Sequence, residues 1–325
     1  MLPDDTGLTN AVDVTKPPDC GITFGFVRKP DQIRKHDFPG ALDGSPRLID
    51  ASLSVSLSPM ASGGSLTVGV QVGNTGAGHA IPTGEPLRAL LLLVDAQACG
   101  QAMTPAGGMT LGDVGGAAAA GVVGGDVAAS GSQMTWATGS AVAQPGDVVR
   151  VVRPTGTYDD YTGIGFFANP ALTPQEKGLE IRTPVGEATV VSTGGGTLTL
   201  SAALAVQSGD LVYLGDVLAG PIADGDASRA LAGRAGYAFA RVMVDASGAR
   251  NVPHYRAVDI ASDNRIVDSA TATTTHVFAV PPGCASATVT ATLVYRPAPV
   301  TLARQRGWKA QDYVVGTATQ TVPLP

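Results

Sequence analysis

The chain has 325 residues, 44% of them hydrophobic and only 5% aromatic, with 42 glycines and 23 prolines. That length and composition allow a real hydrophobic core and favour many short strands joined by turns over long helices. The formal net charge is -6 and 15% of the residues are charged, which excludes the basic surface that nucleic-acid binding requires. The nearly continuous apolar run at 87–94 is far shorter than the roughly 18 residues of a membrane helix, so we expect no membrane insertion.

The first residues, MLPDDTGLTN, lack the basic and then apolar pattern of a secretion signal. The sequence is therefore predicted to be cytoplasmic, a mature form, or a piece of something longer. Three cysteines, Cys20, Cys99 and Cys284, leave an odd one, and none lies in a C-x-x-C or C-x-x-C-H frame, which excludes covalent haem attachment within this sequence. Cys99 and Cys284 lie at predicted strand ends, so a disulfide can join them, with buried free thiols as the alternative.

Residues 1–46 show no periodicity and contain six prolines, which predicts an extended N-terminal arm. The most distinctive part of the arm is RKHDFPG, which contains His36. Apolar residues then alternate with serines at 49–57, a pattern typical of a strand with one solvent-exposed face. Alternation over 66–72 and the apolar run at 87–94 predict two further strands, which we interpret as a hairpin.

The link between these two strands is rich in glycine and proline and has His79 at its centre. Asn74, Gly76, Gly78, Pro82 and Gly84 supply positive or fixed φ angles, so we expect a shaped loop that holds one imidazole between sheet strands. A histidine held in this way is available to a partner outside the loop.

The middle of the chain reads as an insertion. Residues 100–132 are rich in glycine and alanine and predict a low-complexity loop, and residues 133–218 predict a small β unit. Its five predicted strands lie at 133–137, 147–153, 187–192, 196–200 and 210–214. The long loop between the second and third strands carries Tyr158, Tyr161, Phe166 and Phe167, and a loop of that length is usually functional or packed on a neighbour.

After a short predicted helix at 224–232, strands resume at 237–245, 254–261, 273–280 and 287–296. With the three earlier strands they make seven, which suggests an all-β, immunoglobulin-like antiparallel β-sandwich. We predict a sandwich formed by 47–100 plus 234–325. The segment 101–233, a Gly/Ala-rich loop and a small inserted β-barrel-like module, interrupts it.

No catalytic constellation is visible in the sequence, so we expect a protein that is not an enzyme. H-E-x-x-H, H-x-H and G-x-S-x-G are absent, and the Gly-rich turns lack the lysine of a phosphate cradle. The acidic residues of the long loop, Asp159, Asp160, Glu176 and Glu180, lack calcium-loop spacing and are interpreted as solvated carboxylates. His254 and His276 lie in predicted strands and are interpreted as packing or surface residues.

The order H-x-F-P-G-A, a strand pair, and then N-T-G-A-G-H-x-x-P-T-G before an apolar strand resembles the C-terminal β-sandwich region of bacterial multihaem cytochromes c. The later segments PHYRAVDIASDNRI, ATVTATLVYRPAP and QRGW are similar to the closing strands of that region. The resemblance covers most of 34–100 and 234–310, and G-H-x-x-P-T-G is its most specific part.

The resemblance implies a role for two histidines. In such cytochromes, histidines of these two motifs serve as distal axial ligands of haems attached earlier in the polypeptide, which implies that His36 and His79 ligate haem iron. Because this sequence has no C-x-x-C-H, the haem c would be bound covalently by a missing segment or by a multihaem cytochrome c subunit.

We therefore expect a haem-free accessory subunit, or a fragment, of a periplasmic or extracellular electron-transfer assembly. The alternative is a haem-free structural or adhesive surface protein. A third possibility is an enzyme whose site cannot be recognised in the sequence, since β-sandwiches host all of these functions.

Overall fold

A computed structural model gives the fold. The structure describes residues 40–112, 127–158, 180–216 and 222–325, together with three two-residue strands at 11–12, 27–28 and 122–123. The chain divides into two compact units, Met1–Ile49 and Asp50–Pro325. His36, Cys20 and most of the predicted aromatic loop lie outside the described residues.

The described residues are mostly β, which confirms the predicted fold class. The first strands are β1 (Ala11–Val12), β2 (Val27–Arg28), β3 (Leu53–Ser62), β4 (Ser65–Asn74), β5 (Ala89–Ala98), β6 (Gln101–Ala102), β7 (Pro105–Gly108), β8 (Val122–Val123), β9 (Val127–Ser130) and β10 (Gln133–Trp136). They are followed by β11 (Val148–Tyr158), β12 (Glu180–Gly194), β13 (Thr197–Leu200), β14 (Leu211–Gly215), β15 (Gly236–Val244), β16 (Asp259–Asp263), β17 (Thr271–Ala279), β18 (Ser286–Arg296) and β19 (Tyr313–Pro323). Short helices are α1 (Leu48–Ser52), α2 (Ala137–Ser140) and α3 (Val300–Arg306), with a 3-10 helix at His254–Arg256.

Two antiparallel sheets form the sandwich of the second unit. One has four strands in the order β3-β4-β17-β7, and the other has the order β16-β15-β5-β18-β19 with β6 also paired to β5. In the first unit, β1 and β2 form a separate antiparallel pair.

The hydrophobic pattern explains which strands are central. Leu66, Val68, Val70 and Val72 alternate along β4 and are fully buried, because one face of that strand covers the core. In contrast, β5 is buried at its first six positions, as a strand flanked on both sides by β15 and β18 should be. The two sheets meet where Gly316 of β19 faces Val55 of β3, since a Cβ at Gly316 would lie 3.0 Å from Val55 Cγ2.

The inserted module is a separate sheet system. Its described strands run in the open order β8-β14-β11-β12-β13-β10-β9. The 15-residue strand β12 pairs with β11 through its first part and with β13 through its last part, so it belongs to both halves of the module. Its core includes Met134, Trp136, Val149, Leu198 and Val212.

The chain enters and leaves the insert side by side. Beyond residue 100, β6 and β7 still pair with sandwich strands, and Thr110 forms a bridge with Ala235. Leu111 N donates to Arg234 O at 2.8 Å, and Gly233 N donates to Leu111 O at 2.8 Å. The sandwich ladder therefore continues across the two ends of the insertion.

Several local predictions were wrong. The strands β4 and β5 do not form a hairpin, because they lie in different sheets. The segment 224–232 is not helical, and the strand predicted from 254 begins as a 3-10 helix with β16 following it. The strand predicted from residue 49 begins at Leu53, after α1, and the long last strand β19 was not predicted.

A buried ion pair explains why 224–232 is not a helix. Arg296 and Asp312 are 1% and 0% exposed, and Arg296 Nε donates to Asp312 Oδ1 at 2.9 Å. Arg296 Nη2 also donates to Arg229 O at 2.6 Å, and Ala230 N donates to the Asp216 carboxylate at 2.8 Å. Ala230 N, which a helix would pair with Asp226 O, is thus bonded to the side chain of Asp216 instead.

A disulfide joins Cys99, just after β5, to Cys284, just before β18, with 5.7 Å between their Cα atoms. The alternative of two free thiols is therefore excluded for this pair. A stable disulfide is compatible with an extracytoplasmic location. Within the part of the chain that the structure describes, no helix has the length and apolar character needed to cross a bilayer.

Candidate functional site

His79 lies in the connection between β4 and β5, which crosses from the four-stranded sheet to the six-stranded sheet at one end of the sandwich. Its side chain is exposed. The prediction that a shaped loop presents this imidazole at the end of two strands therefore fits the structure, although the two strands belong to different sheets.

Asn74, the last residue of β4, anchors the loop through its buried side chain. It is 1% exposed, and its Nδ2 donates to His79 O at 2.8 Å and to Ile266 O at 3.2 Å. Its Oδ1 accepts from Ala77 N at 3.1 Å. The buried amide thus bonds the loop on both sides of Gly78 and fixes the backbone that carries the histidine.

A two-residue bridge fixes the other side of His79. Ile81 N donates to Ile266 O at 2.8 Å, and Ile266 N donates back to Ile81 O at 2.9 Å. Ile81 and Ile266 are buried, and the Ile81–Pro82 peptide bond is cis. His79 is therefore held between two anchored points, Asn74 and Ile81, that are seven residues apart in sequence.

The glycines of the loop serve different purposes. Gly84 has a φ of +79°, which is the left-handed conformation predicted for the loop. Gly76 is needed for a close approach instead, since a Cβ there would lie 2.9 Å from Ala51 O. At Gly78 a Cβ would meet nothing within 4 Å, so this glycine is not required by packing.

The ring of His79 has one nitrogen directed at its own backbone. Nδ1 lies 3.3 Å from Ala80 O, and a carbonyl can only accept, so this contact favours the tautomer with the proton on Nδ1. The lone pair is then on Nε2. This is the tautomer in which an exposed imidazole binds a metal through Nε2.

A single imidazole can hold a metal ion only if other groups complete the coordination of that ion. Among the described residues, no group of three or more His, Cys, Asp and Glu side chains is placed to hold a metal ion. Haem iron, whose four equatorial ligands are porphyrin nitrogens, needs just one such residue on its distal side. A single exposed imidazole is thus the whole protein contribution that such a distal position requires.

His276 is not a candidate ligand. It is fully buried on β17, with Nε2 2.9 Å from Thr274 Oγ1 and Nδ1 3.1 Å from Met109 O. Burial lowers its pKa to about 4, against the smaller opposing effect of the hydrogen bond to Met109. Its predicted role in packing is confirmed.

His254 is a surface residue, which was one of the two predicted roles, but it does not lie in a strand. It lies in the 3-10 helix, its side chain is 65% exposed, and its Nδ1 is 2.6 Å from Glu85 Oε2. Glu85 belongs to the same connection as His79, and its Oε1 also accepts from His254 N at 3.3 Å. The two residues are 169 positions apart, so no spacing in the sequence indicates the pair.

The remaining predicted residues fall into two groups. His36, Asp159, Asp160 and Glu176 lie outside the described residues, so the role of His36 as a haem ligand stays a prediction. Glu180 is described, and its Oε1 accepts from Gly156 N at 3.1 Å across the base of the long loop.

Comparisons with known proteins give limited similarity. No family model matches the chain, and no curated protein matches it. Among solved structures, the crystal structure of a penta-heme cytochrome c552 from Thermochromatium tepidum is similar at 12% identity and a TM-score of 0.38, over 94% of this chain and 45% of that chain. Clostridium perfringens delta-toxin gives 9% identity and a TM-score of 0.14, over 83% and 82% of the two chains. This chain therefore spans less than half of the cytochrome chain, and at such TM-scores neither similarity defines a function.

Proposed function

We propose that this chain is a haem-free accessory subunit, or a fragment, of a multihaem cytochrome c electron-transfer assembly, and that His79 and His36 are distal ligands of haems bound covalently elsewhere. The proposal rests on the G-H-x-x-P-T-G resemblance together with one observation of geometry. That observation is the exposed His79 imidazole, held between Asn74 and Ile81 with Nδ1 directed at Ala80 O.

The residues around His79 support this role for physical reasons. An axial ligand must present a neutral nitrogen from a backbone that does not swing, because the orientation of the ring and the basicity of the nitrogen both tune the iron. The Asn74 amide and the Ile81 bridge restrain the backbone on either side of the histidine. Haem supplies one-electron chemistry when bound, and this chain would supply the distal nitrogen and exclude water from that position.

The same proposal includes no catalytic activity for this chain and a location outside the cytoplasm, in the periplasm or at the cell exterior. The Cys99–Cys284 disulfide supports such a location, because structural disulfides persist in oxidising compartments. The partner is a multihaem cytochrome c subunit or segment.

The test uses the assembly purified from its native host, with His79→Ala and His79→Met in this chain. We expect His79→Ala to convert one low-spin haem to a high-spin or water-ligated form, and His79→Met to keep it low-spin while raising its reduction potential. Thr75→Ala, an exposed change in the same loop but outside G-H-x-x-P-T-G, is the matched control and should alter neither property. Unchanged absorbance and potentials in the His79→Ala assembly would remove His79 from the ligand set.

A further inference from the structure

Three connections of the sandwich meet at the end that carries His79. Ala89, at the start of β5, pairs with Ala240 of β15 and with Arg296 of β18. The connection containing His79 precedes β5, the connection containing His254 follows β15, and α3 follows β18. The strand register therefore places these three segments at the same end of the six-stranded sheet.

His254 has the arrangement of a metal-binding histidine. Most histidines that bind a metal donate the proton of their other ring nitrogen to a carboxylate or a carbonyl, which fixes the tautomer and raises the basicity of the ligating nitrogen. His254 Nδ1 is 2.6 Å from Glu85 Oε2, so in the neutral imidazole Nε2 carries the lone pair, on a side chain that is 65% exposed.

The surface beside His254 has the composition that suits a porphyrin. Tyr255 is 62% exposed and meets the His254 ring edge-on at 5.6 Å, and its hydroxyl accepts from Arg306 Nη2 at 2.6 Å. Trp308, two residues after Arg306, is 55% exposed. Lys309 is exposed as well, so Tyr255 and the segment 306–309 together offer two cations and two accessible aromatic rings. A haem presents an apolar ring together with anionic propionates, which matches this pairing of aromatic and cationic groups.

We propose that His254 is a second iron ligand at this end of the sandwich. Its Nε2 binds the iron of a haem that belongs to the partner cytochrome, Glu85 positions the imidazole, Tyr255 and Trp308 contact the porphyrin, and Arg306 and Lys309 pair with its propionates. This inference rests on the proposed function, since it takes the ligands of this chain to act on haem held elsewhere, but it depends on a different residue.

The test isolates His254 from the other candidate ligands. In a chain carrying His36→Ala and His79→Ala, the remaining histidines are His254 and the buried His276. The probe is a monomeric ferric c-type haem peptide whose iron has one histidine of its own and one exchangeable water. Titration is followed by the Soret band and by the low-spin signal in electron paramagnetic resonance.

We expect one haem peptide per chain, bound at least about tenfold more tightly than by N-acetylhistidine, because the ring is pre-oriented and the porphyrin has protein contacts. His254→Ala should abolish the low-spin product. Glu85→Gln and Trp308→Ala should each weaken binding several-fold while circular dichroism and unfolding midpoints stay near those of the parent.

A matched control tests whether any exposed histidine would behave in the same way. Gln320→His, placed in a chain that lacks His36, His79 and His254, puts an imidazole on β19 near the opposite end of the sheet, since the register sets Gln320 beside Val289 and Ala96. Affinity in the His254 chain no greater than in this control, or binding unchanged by His254→Ala, would overturn the inference. Neither outcome concerns His79, which is tested separately in the native assembly.

Discussion

Replacing Asn74 tests whether the buried amide holds the His79 loop. Asn74→Ala removes three side-chain hydrogen bonds, to His79 O, Ile266 O and Ala77 N. Ile266 O keeps its bond from Ile81 N, whereas Ala77 N loses the acceptor described for it here. At about 1 kcal/mol for each bond, the free energy of unfolding should fall by roughly 3 kcal/mol.

Asn74→Asp separates the hydrogen bonds from the volume of the side chain. The carboxylate can still accept from Ala77 N, but it would place negative charge against the carbonyl oxygens of His79 and Ile266. Because Asn74 is 1% exposed, we expect Asn74→Asp to destabilise the protein more than Asn74→Ala at neutral pH.

Two measurements check these changes. Urea unfolding followed by circular dichroism gives the free energy, and titration with the ferric haem peptide, in a chain whose His36 and His254 are alanine, reports on His79. We expect weaker haem-peptide binding along with lower stability in both variants. A loss below about 1 kcal/mol with unchanged affinity would refute the anchoring argument, because the lost hydrogen bonds would then have no measurable consequence.

Two further predictions concern stability alone. Changing both Cys99 and Cys284 to serine opens a link between positions 185 residues apart, and chain-entropy arguments give a loss of about 5 kcal/mol in denaturant unfolding; a loss below about 1 kcal/mol would contradict them. Burial lowers the pKa of His276 to about 4, below the ordinary histidine value of about 6.5, so the unfolded chain takes up a proton first and stability falls as pH drops from about 6.5 to about 4, by roughly 3 kcal/mol. His276→Gln should flatten that part of the pH profile, and an unchanged slope would show that other groups cause it.

The sequence predicted those strands whose burial follows a simple period. Alternation from Leu66 to Val72 and the apolar run before Val94 became β4 and β5, because one strand covers a face and the other lies between neighbours. The final strand β19 was missed, since YVVGTATQTVP is dominated by small and polar residues and its burial pattern is mostly intermediate or exposed. Its place at the sheet edge beside β18 explains that weak signal.

Contacts between distant parts of the chain could not be predicted. The sequence showed that His79 lies in a shaped loop, but not that β4 and β5 belong to different sheets. It gave His254 a strand and no partner, whereas Glu85 meets it from 169 residues away. The same limit explains the wrong helix near Arg229, whose carbonyl is bonded by the buried Arg296.

The adjoining ends of the insertion have a consequence for how the chain tolerates change. Because Leu111 and Arg234 are hydrogen-bonded neighbours, the strand register of the sandwich does not depend on the length of the chain between them. Replacing that module by a short turn would leave the strand pairing within both sandwich sheets unchanged. Size and surface of the module can therefore vary between versions of such a protein while the end that presents the imidazoles keeps its geometry.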